Sequence, residues 1–444
     1  MKHLLVISYY FPPSGGPGVQ RVLKFVKYLR EFEVRPVVLT VENGDFPVRD
    51  DSLMHEIPDD VRVYRSKIFE PYKLYRKLTG KPDDAPVDVN NIPKPGETRS
   101  LAETLAEFVR SNFFIPDARI GWLRYAVSLG EKIIHDEQID CLYSSSPPYT
   151  SALIARALKR HTGLPWIAGF RDPWTGFLST PTRYGLAKKI DAHLERSVYA
   201  ECSRLEVAWR GIAKDFQKKY PDIDAAKIIH IENGFDDADI PKIAFPRNDK
   251  FTVCYTGSMY GKRSPEHFLA AVKRLVVEGK VDADNIELKF IGRFGSNIMP
   301  LFDEPTLKQS IVVKSYMPHS DSVLELLKSD ALLLVVDDAD GSDEIVPGKV
   351  YEYIGTSRPV ITLAPEGAIA TLIRETNAGT VAYFRSEAEI ADAFLNYYNL
   401  FIARKPLWDG RSEVIQKYTR REASKKLASL VHDLTPLHIN SLSR

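Results

Sequence analysis

The stretch Asp338-Ala-Asp-Gly-Ser-Asp-Glu-Ile-Val-Pro-Gly-Lys-Val-Tyr-Glu-Tyr-Ile-Gly355 lies between two apolar runs, Ala331–Val336 and Val360–Leu363. This pattern predicts a buried strand, a polar loop, a helix and a second buried strand. Pro347 favours a helix that begins close to it, because a proline in the first helical turn gives up no hydrogen bond. We therefore interpret the stretch as part of an α/β sheet.

Two carboxylates flank the start of this helix, with Glu344 in the loop and Glu352 one to two turns into the helix. A helix N-terminus at the carboxyl edge of a parallel sheet often binds phosphate, and a nearby carboxylate suits the hydroxyls of a sugar or ribose. The alternative is a solvated helix start with a surface ion pair between Lys349 and Glu352. The spacing alone leaves both interpretations open.

The length of 444 residues predicts two or three domains. The chain has 60 Lys and Arg residues against 59 Asp and Glu residues, so its overall charge does not indicate a nucleic-acid partner. The hydrophobic content of 44 % is typical of a globular protein. Partners must therefore be inferred from local patterns.

The N-terminal residues 1–10 predict a first strand rather than a signal peptide, because the apolar run is short and no small-residue cleavage site follows it. No apolar stretch approaches the ~20 residues needed to span a bilayer. The cysteines Cys141, Cys202 and Cys254 are scattered, and we expect them to be small buried hydrophobic residues. These features predict a cytoplasmic protein.

A glycine loop, residues 11–18, follows the first strand and precedes a helix. Gly15 and Gly16 would let the backbone approach a ligand closely and leave N–H groups free, while Pro17 begins the helix. A plain strand-to-helix turn is the alternative. The apolar face of the helix is predicted to contain Val19, Val22, Leu23, Val26 and Leu29.

Two later strands of the first half end in polar loops, residues 144–148 and 171–176. In a parallel sheet these loops would open on the same edge as the glycine loop. The serines Ser144, Ser145 and Ser146 are also suited to cap the next helix. Arg171 and Asp172 are also suited to an internal ion pair.

The segment 67–123 breaks the α/β pattern and is too long for a routine connection. It mixes aromatic and apolar residues with cations: Tyr72, Leu74, Tyr75, Phe113, Phe114 and Trp122 among Lys73, Arg76, Lys77, Arg110 and Arg119. This composition suits a membrane interface, although such a segment more often packs back on its own domain.

The second half repeats the α/β rhythm after a hinge that we place in the polar segment following residues 229–236. Strands are predicted at residues 251–255, 286–291, 311–316, 331–336, 360–363 and 380–383. Residues 418–431 form a final amphipathic pattern typical of a helix.

Five stretches, taken in order, resemble the signature of retaining family 4 glycosyltransferases: the loop at Gly15 and Gly16, and residues 170–174, 232–236, 255–257 and 344–355. The resemblance implies the GT-B fold, an α/β arrangement of two Rossmann-like doubly wound domains that face a central cleft. We expect an N-terminal domain over 1–235 and a nucleotide-sugar domain over 236–405. Residues 406–444 are expected to form a helical segment that returns to the first domain.

The resemblance also implies roles for individual residues. Glu352 would bind the nucleotide ribose, and Glu344 would hold hydroxyls of the transferred sugar. Backbone N–H groups near Gly348 and Lys349 would face the phosphates. Gly15 and Gly16 would border the same cleft.

Two positions depart from the family pattern. Where many members have an arginine after the glycine of the second domain's first strand, this chain has Ser258. Arg263 matches the second cation of the pattern, and Lys349 is the candidate for the missing one. A solvated pair of Lys262 and Arg263 is the alternative.

The second departure is Arg171, which stands where many members have a histidine near the transferred sugar. Arginine does not act as a base at neutral pH, so any role of the histidine in orienting the sugar is either lost or passes to Asp172, whose carboxylate suits contact with a donor or acceptor hydroxyl. Glu344 and Asp172 are therefore the candidate catalytic residues. Arg171 and Ser145 are assigned to the acceptor side.

The expected reaction moves a sugar from a nucleoside diphosphate sugar to an acceptor hydroxyl with retention, in envelope or exopolysaccharide assembly. We expect no cofactor, no metal and no nucleic acid. A lipid-linked saccharide acceptor would place the protein peripherally on the inner face of the membrane. The alternatives are a nucleotide-sugar epimerase on the same fold and a non-catalytic scaffold for a membrane or a partner.

Overall fold

The computed structural model describes residues 1–46, 48–69, 108–109, 111–176, 183–337, 342–344 and 346–436. The chain forms two compact units. The first consists of Met1–Glu232 with Ala423–Arg444, and the second of Asn233–Glu422. The sequence placed the corresponding boundaries at residues 235 and 405.

The first unit is built on a parallel sheet that has seven strands within the described residues, in the order β3-β2-β1-β4-β5-β6-β7. The strands are β1 (Lys2–Ile7), β2 (Val34–Val41), β3 (Arg62–Ser66), β4 (Cys141–Ser146), β5 (Trp166–Phe170), β6 (Arg204–Val207) and β7 (Ile228–His230). The helices between them are α1 (Pro17–Tyr28), α2 (Leu123–Asp136), α3 (Thr150–Thr162), α4 (Gly185–Glu201) and α5 (Arg210–Lys219).

Helices cover both faces of this sheet, which explains why its central strands are continuous apolar runs. In β1, Leu5 and Ile7 pack into one core with Trp166, while Leu4 and Val6 pack into the other. The predicted apolar face of α1 is confirmed, because all of its residues are fully buried: Val19, Val22, Leu23, Val26 and Leu29. The three cysteines are also buried, as predicted.

A last helix, Arg420–Leu434, contributes to the second of these cores. Leu427 and Val431 are fully buried there with Leu4 and Leu23 of the first unit. The His432 ring Nε2 lies 3.0 Å from the carbonyl oxygen of Phe32. The final residues of the described chain are thus part of the first unit's core.

A buried ion pair fixes α1 to the sheet. Arg21 and Glu206 form it with side chains that are 2 % and 1 % exposed. Glu206 also accepts a hydrogen bond from the Tyr143 hydroxyl at 3.0 Å, and Arg21 donates to the Ile231 carbonyl at 2.6 Å. Gly169 leaves room for this network, because a Cβ there would lie 2.8 Å from a carboxylate oxygen of Glu206.

The second unit has six parallel strands within its described residues, in the order β10-β9-β8-β11-β12-β13. They are β8 (Phe251–Thr256), β9 (Ile286–Ile291), β10 (Ile311–Lys314), β11 (Ala331–Val335), β12 (Val360–Leu363) and β13 (Gly379–Ala382). The helices are α6 (Glu266–Val277), α7 (His319–Leu327), α8 (Lys349–Gly355), α9 (Ala368–Thr376), α10 (Glu387–Ile402) and α11 (Ser412–Ile415). The prediction of two doubly wound sheets is confirmed.

The helix of the opening stretch begins later than its proline suggested. Gly348 is the N-cap and α8 begins at Lys349. Glu352 therefore lies in the first turn rather than one to two turns into the helix, and Glu344 lies in a turn that precedes it.

The segment 67–123 is described only in part, because its residues 70–107 and 110 lie outside the described residues. Two of its residues are not surface residues. Trp122 is fully buried and donates from Nε1 to the Ser66 hydroxyl at 2.7 Å. Arg119 is 6 % exposed, lies over the Tyr9 ring and donates to the Asp45 carbonyl at 2.8 Å. For these two residues the membrane interpretation was wrong, since aromatic and cationic groups also pair inside a domain.

We expect Glu206→Gln to lower the free energy of unfolding by about 3 kcal/mol, because it removes the negatively charged partner of the buried Arg21 guanidinium. The matched control is Glu201→Gln, which removes an ion pair to Arg160 whose side chains are 28 % and 56 % exposed. That pair should contribute at most about 1 kcal/mol. Urea titrations followed by circular dichroism measure both, and equal losses would contradict the importance of the buried pair.

Candidate functional site

Each sheet reverses its strand order beside its first strand. In the first unit β1 pairs with β2 and β4, and in the second β8 pairs with β9 and β11. Successive crossovers diverge from such a point and leave a crevice at the carboxyl edge, where open α/β sheets bind ligands. The candidate residues of each unit follow the strands that border its own crevice.

The two glycines of the first loop differ in their surroundings. The Gly15 N–H donates to the Val48 carbonyl at 2.8 Å, so the expectation that both glycines leave free N–H groups was wrong for Gly15. Gly16 is the N-cap of α1 with a φ of 90°, and a Cβ there would meet no described atom within 4 Å. Gly16 is thus the position in the loop where a ligand could approach the backbone closely.

Arg171 ties three loops of this edge together. Its guanidinium donates to the carbonyl oxygens of Gly18 and Pro147, and its Nε donates to Ser146 at 3.4 Å. A Cβ at Gly18 would lie 2.5 Å from an Arg171 nitrogen, so this glycine is needed for the contact. The alternative of an Arg171–Asp172 ion pair was wrong, since the arginine bonds to backbone instead.

Asp172 is partly buried at the end of β5, and no described residue forms a hydrogen bond with its carboxylate. Burial raises the pKa of this carboxyl, while the nearby Arg171 charge lowers it. The loop around it is fixed by α4: Trp174 donates to Asp191 at 2.9 Å, and the Thr175 hydroxyl donates to Glu195 at 2.6 Å. Asp172 is thus an available carboxylate on a rigid loop.

The serines that end β4 do not cap the following helix. Asp117 caps α3 instead, accepting hydrogen bonds from the Thr150 N–H at 2.9 Å and hydroxyl at 2.8 Å. Ser145 is 2 % exposed at the carboxyl end of its strand. The capping interpretation failed because the cap comes from a residue far earlier in the chain.

Lys349 is the central cation of the second unit's edge. Its ammonium donates to the Tyr255 hydroxyl at 3.0 Å and to the Thr256 carbonyl at 3.1 Å. Gly257 has a φ of 118°, and a Cβ there would lie 2.6 Å from this ammonium. Burial, followed by repulsion from Arg263, lowers the pKa of Lys349 to about 7. The surface pair between Lys349 and Glu352 is therefore not formed.

Arg263 is held in place by Asp337, which follows β11. The guanidinium donates to the Asp337 carboxylate at 2.7 Å, with side chains 23 % and 42 % exposed. The interpretation of Arg263 as a solvated loop cation was therefore wrong. The structure brings Arg263 and Lys349 together at the crevice, so two cations approach the loop that contains Ser258.

Glu352 pairs with a histidine at the start of α7. The His319 Nε2 lies 3.0 Å from a Glu352 carboxylate oxygen, with side chains 43 % and 38 % exposed. Gly348 is exposed, and a Cβ there would meet no described atom within 4 Å. Glu344 is partly buried in the turn of residues 342–344.

Sequence reasoning missed three residues of this edge: Tyr255, His319 and Asp337. Each lies at a strand end or a helix start, which is where polar groups meet at a carboxyl edge. That signal was present for Asp337, which directly follows an apolar run. The contact of His319 with Glu352 bridges 33 residues and has no local signature.

Within either unit taken by itself, the described residues bring no three histidine, cysteine or carboxylate side chains within metal-binding distance of one another. None of the helices in the described ranges is both long and apolar enough to cross a membrane.

The comparisons with known proteins rest on structure. No protein-family model and no curated protein sequence matches the chain. HepE from Anabaena, solved with UDP-glucose, matches with a TM-score of 0.60 and 11 % identity over 98 % of this chain and 100 % of HepE. Sucrose-phosphate synthase from Thermosynechococcus elongatus matches with a TM-score of 0.61 and 12 % identity over 98 % and 99 % of the two chains.

WaaG, a glycosyltransferase involved in lipopolysaccharide biosynthesis, matches with a TM-score of 0.52 and 12 % identity over 97 % of this chain and 100 % of WaaG. The chain has the GT-B fold. The fold implied by the sequence resemblance is therefore confirmed, and the GT-B similarity extends over almost the whole chain.

The lowered pKa of Lys349 predicts that the second unit becomes more stable as pH rises. In the unfolded chain this lysine keeps its proton up to its ordinary pKa of 10.5, while the folded chain releases it near 7. Between these values the unfolded state binds more protons, so stability rises with pH. The gain from about pH 7 to about pH 9 should approach 2 kcal/mol.

Urea titrations at the two pH values measure this gain. Lys349→Met removes the titrating group while keeping a long side chain, so its gain should be smaller than that of the wild type by the same amount. An identical pH dependence in the two proteins would mean that the lysine titrates normally.

Proposed function

We propose that this protein is a retaining glycosyltransferase that moves a sugar from a nucleoside diphosphate sugar to an acceptor hydroxyl in envelope or exopolysaccharide assembly. The observation that carries the proposal is the pair of cations Arg263 and Lys349, which meet at the strand-order reversal of the second sheet. A diphosphate is the leaving group whose charge such a pair would stabilise.

In this proposal the two cations stabilise the departing diphosphate more strongly than they stabilise the bound donor before reaction. Negative charge grows on the diphosphate as the bond to the sugar breaks, so the Arg263 guanidinium and a Lys349 ammonium that the phosphate charge keeps protonated lower the barrier. Lys349 takes the place of the arginine that Ser258 replaces, because Gly257 lets its ammonium approach the loop backbone. Asp337 orients Arg263 without neutralising both cations.

The two glutamates act on the two ends of the donor. In this proposal Glu352 accepts hydrogen bonds from the ribose hydroxyls, and His319 fixes the orientation of its carboxylate. Glu344 holds hydroxyls of the transferred sugar from the turn before α8. The exposed backbone at Gly348 provides room for the phosphates.

The first unit provides the acceptor side. Asp172 is a partly buried carboxylate without a described hydrogen-bond partner, which suits contact with a donor or acceptor hydroxyl. Arg171 acts through the loops that it ties together, including the end of β4 where Ser145 lies. The departing diphosphate takes the acceptor proton on the same face of the sugar, which gives retention without a dedicated protein base.

The structural neighbours support the donor and the pathway class. HepE was solved with UDP-glucose and with UDP, and WaaG takes part in lipopolysaccharide biosynthesis. WaaB, another neighbour, is a lipopolysaccharide outer core galactosyltransferase. These proteins share the fold of the present chain at 11 to 12 % identity.

A lipid-linked acceptor would require a docking surface, and we propose the outer face of α4 for this role. Its outer face exposes Leu186 and Ile190 by 72 % and 40 %, with exposed Lys188 and Lys189 between them. Tyr184, just before the helix, is 63 % exposed. Apolar side chains flanked by cations suit peripheral attachment to an anionic membrane, which is the localisation that we propose.

Calorimetric titration of UDP and uridine tests the donor site. Glu352→Ala should weaken both ligands by about fivefold or more, because the lost hydrogen bonds are to the ribose. Arg263→Gln should weaken UDP much more than uridine, because its partner is phosphate. The control Glu413→Ala removes an exposed glutamate at the start of α11 and should change neither affinity.

Turnover of UDP-glucose separates the alternatives. A transferase should slowly release free glucose and UDP, and Glu344→Gln should depress that rate while UDP affinity changes little. An isomer with an intact diphosphate would instead establish an epimerase. A donor that binds but never reacts would favour the scaffold, and absence of UDP binding would reject the proposed site for this nucleotide.

Peripheral attachment predicts that the protein sediments with phosphatidylglycerol vesicles at low salt and hardly with phosphatidylcholine vesicles. Lys188→Gln with Lys189→Gln should weaken this binding about thirtyfold, because each cation near an anionic surface contributes about 1 kcal/mol. Leu186→Ser with Ile190→Ser should weaken it as well. Val277→Ser, which changes a 71 % exposed valine of α6, serves as the control.

A further inference from the structure

A cavity of about 280 Å³ opens at the amino edge of the second sheet. Its walls include Asn248, which precedes β8, Asp330, which precedes β11, and Pro359, which precedes β12. Phe401 of the last turn of α10 and Trp408, which follows that helix, complete it. Because all six strands are parallel, this edge is opposite to the one where Arg263 and Lys349 lie.

Four cations line the cavity: Arg247, Lys328, Arg358 and Lys405. Within the described residues, none of the four forms an ion pair with a carboxylate. The one lining carboxylate, Asp330, already accepts hydrogen bonds from the Thr252 N–H at 2.9 Å and the Asn248 amide at 3.0 Å. Like charges around one cavity repel each other, and an anion placed among them would relieve the repulsion.

Two of these cations are held in position. Arg247 lies 4.3 Å above the centroid of the Phe401 ring and donates to the Phe401 carbonyl. Arg358 is partly buried and donates to the Leu327 carbonyl at 2.6 Å. Side chains that are already ordered lose less entropy when they bind a ligand, so the cavity is preorganised.

The remaining wall is apolar. Phe401 is buried, while Leu407 and Trp408 are partly buried beside it. A small ligand site typically combines such a wall with a few placed polar groups, and its volume is about 300–1,000 Å³. The volume here is just below that range, so it suits a single phosphorylated sugar better than a nucleotide sugar.

We propose that this cavity binds a small phosphate ester, with the phosphate among Arg247, Arg358 and Lys405 and the carbon skeleton against Trp408. Arginine and lysine together suit this ligand, because a guanidinium forms paired hydrogen bonds to phosphate and an ammonium adds a point charge. The site lies apart from the proposed donor site, and the inference does not depend on that function.

The test is a calorimetric titration of the full chain in the presence of saturating UDP, with inorganic phosphate, glucose 1-phosphate and glucose as probes. Glucose 1-phosphate should bind more tightly than phosphate, and glucose should not bind. The double variant Arg247→Gln with Lys405→Gln should weaken glucose 1-phosphate about tenfold. Lys417→Gln, an exposed lysine of the same unit outside the cavity, should leave the affinity unchanged.

Arg263→Gln separates this cavity from the donor site, because binding in the cavity should survive that substitution even if the proposed function is wrong. Loss of glucose 1-phosphate binding in Arg263→Gln would assign it to the donor site and overturn the inference. Equal binding to the wild type and the double variant would overturn it too. So would absence of binding for both phosphate probes.

Discussion

The candidate sites depend on one topological constraint, which is that each parallel sheet grows outward in both directions from its first strand. β1 and β8 each pair with two parallel neighbours, so the crossover helices on either side lead away from them. The backbone loops that leave these strands are therefore not covered by their own helices. Polar side chains at these ends remain accessible, whereas the same residue types elsewhere in the sheet would need buried partners.

At this accessible edge, glycines allow cationic side chains to lie directly against the backbone. In each unit a long cation from another element lies against a glycine that has no room for a side chain: Arg171 at Gly18 and Lys349 at Gly257. The Arg171 guanidinium donates its hydrogen bonds to backbone carbonyls and so stabilises the loops. The Lys349 ammonium donates hydrogen bonds to one hydroxyl and one carbonyl and lies over the Tyr255 ring. This difference is why the proposed chemistry assigns phosphate to Lys349 and a positioning role to Arg171.

The sequence predicted the strand and helix pattern well, because apolar runs and helical periodicity are local properties of the chain. It also identified Arg263, Lys349 and Glu352 as neighbours of one edge, since all follow strands or begin a helix there. It failed where a partner comes from a distant segment, as with Asp117 at the start of α3. It also misplaced Trp122, because an aromatic residue among cations has the same local composition on a surface and in a core. Contacts between residues that are far apart in the sequence depend on how the elements pack, and local sequence patterns do not predict that packing.

Helix α4 has an inner face that contacts the loop of residues 171–176 and an outer face that is exposed. Its inner carboxylates, Asp191 and Glu195, hold Trp174 and Thr175, and so fix the loop that carries Asp172. Its outer face carries the exposed Leu186 and Ile190. A helix moves as a stiff rod, so a shift imposed on its outer face reaches the loop through the hydrogen bonds of Asp191 and Glu195. The loop of Asp172 and the exposed apolar side chains of α4 are therefore coupled through one rigid helix.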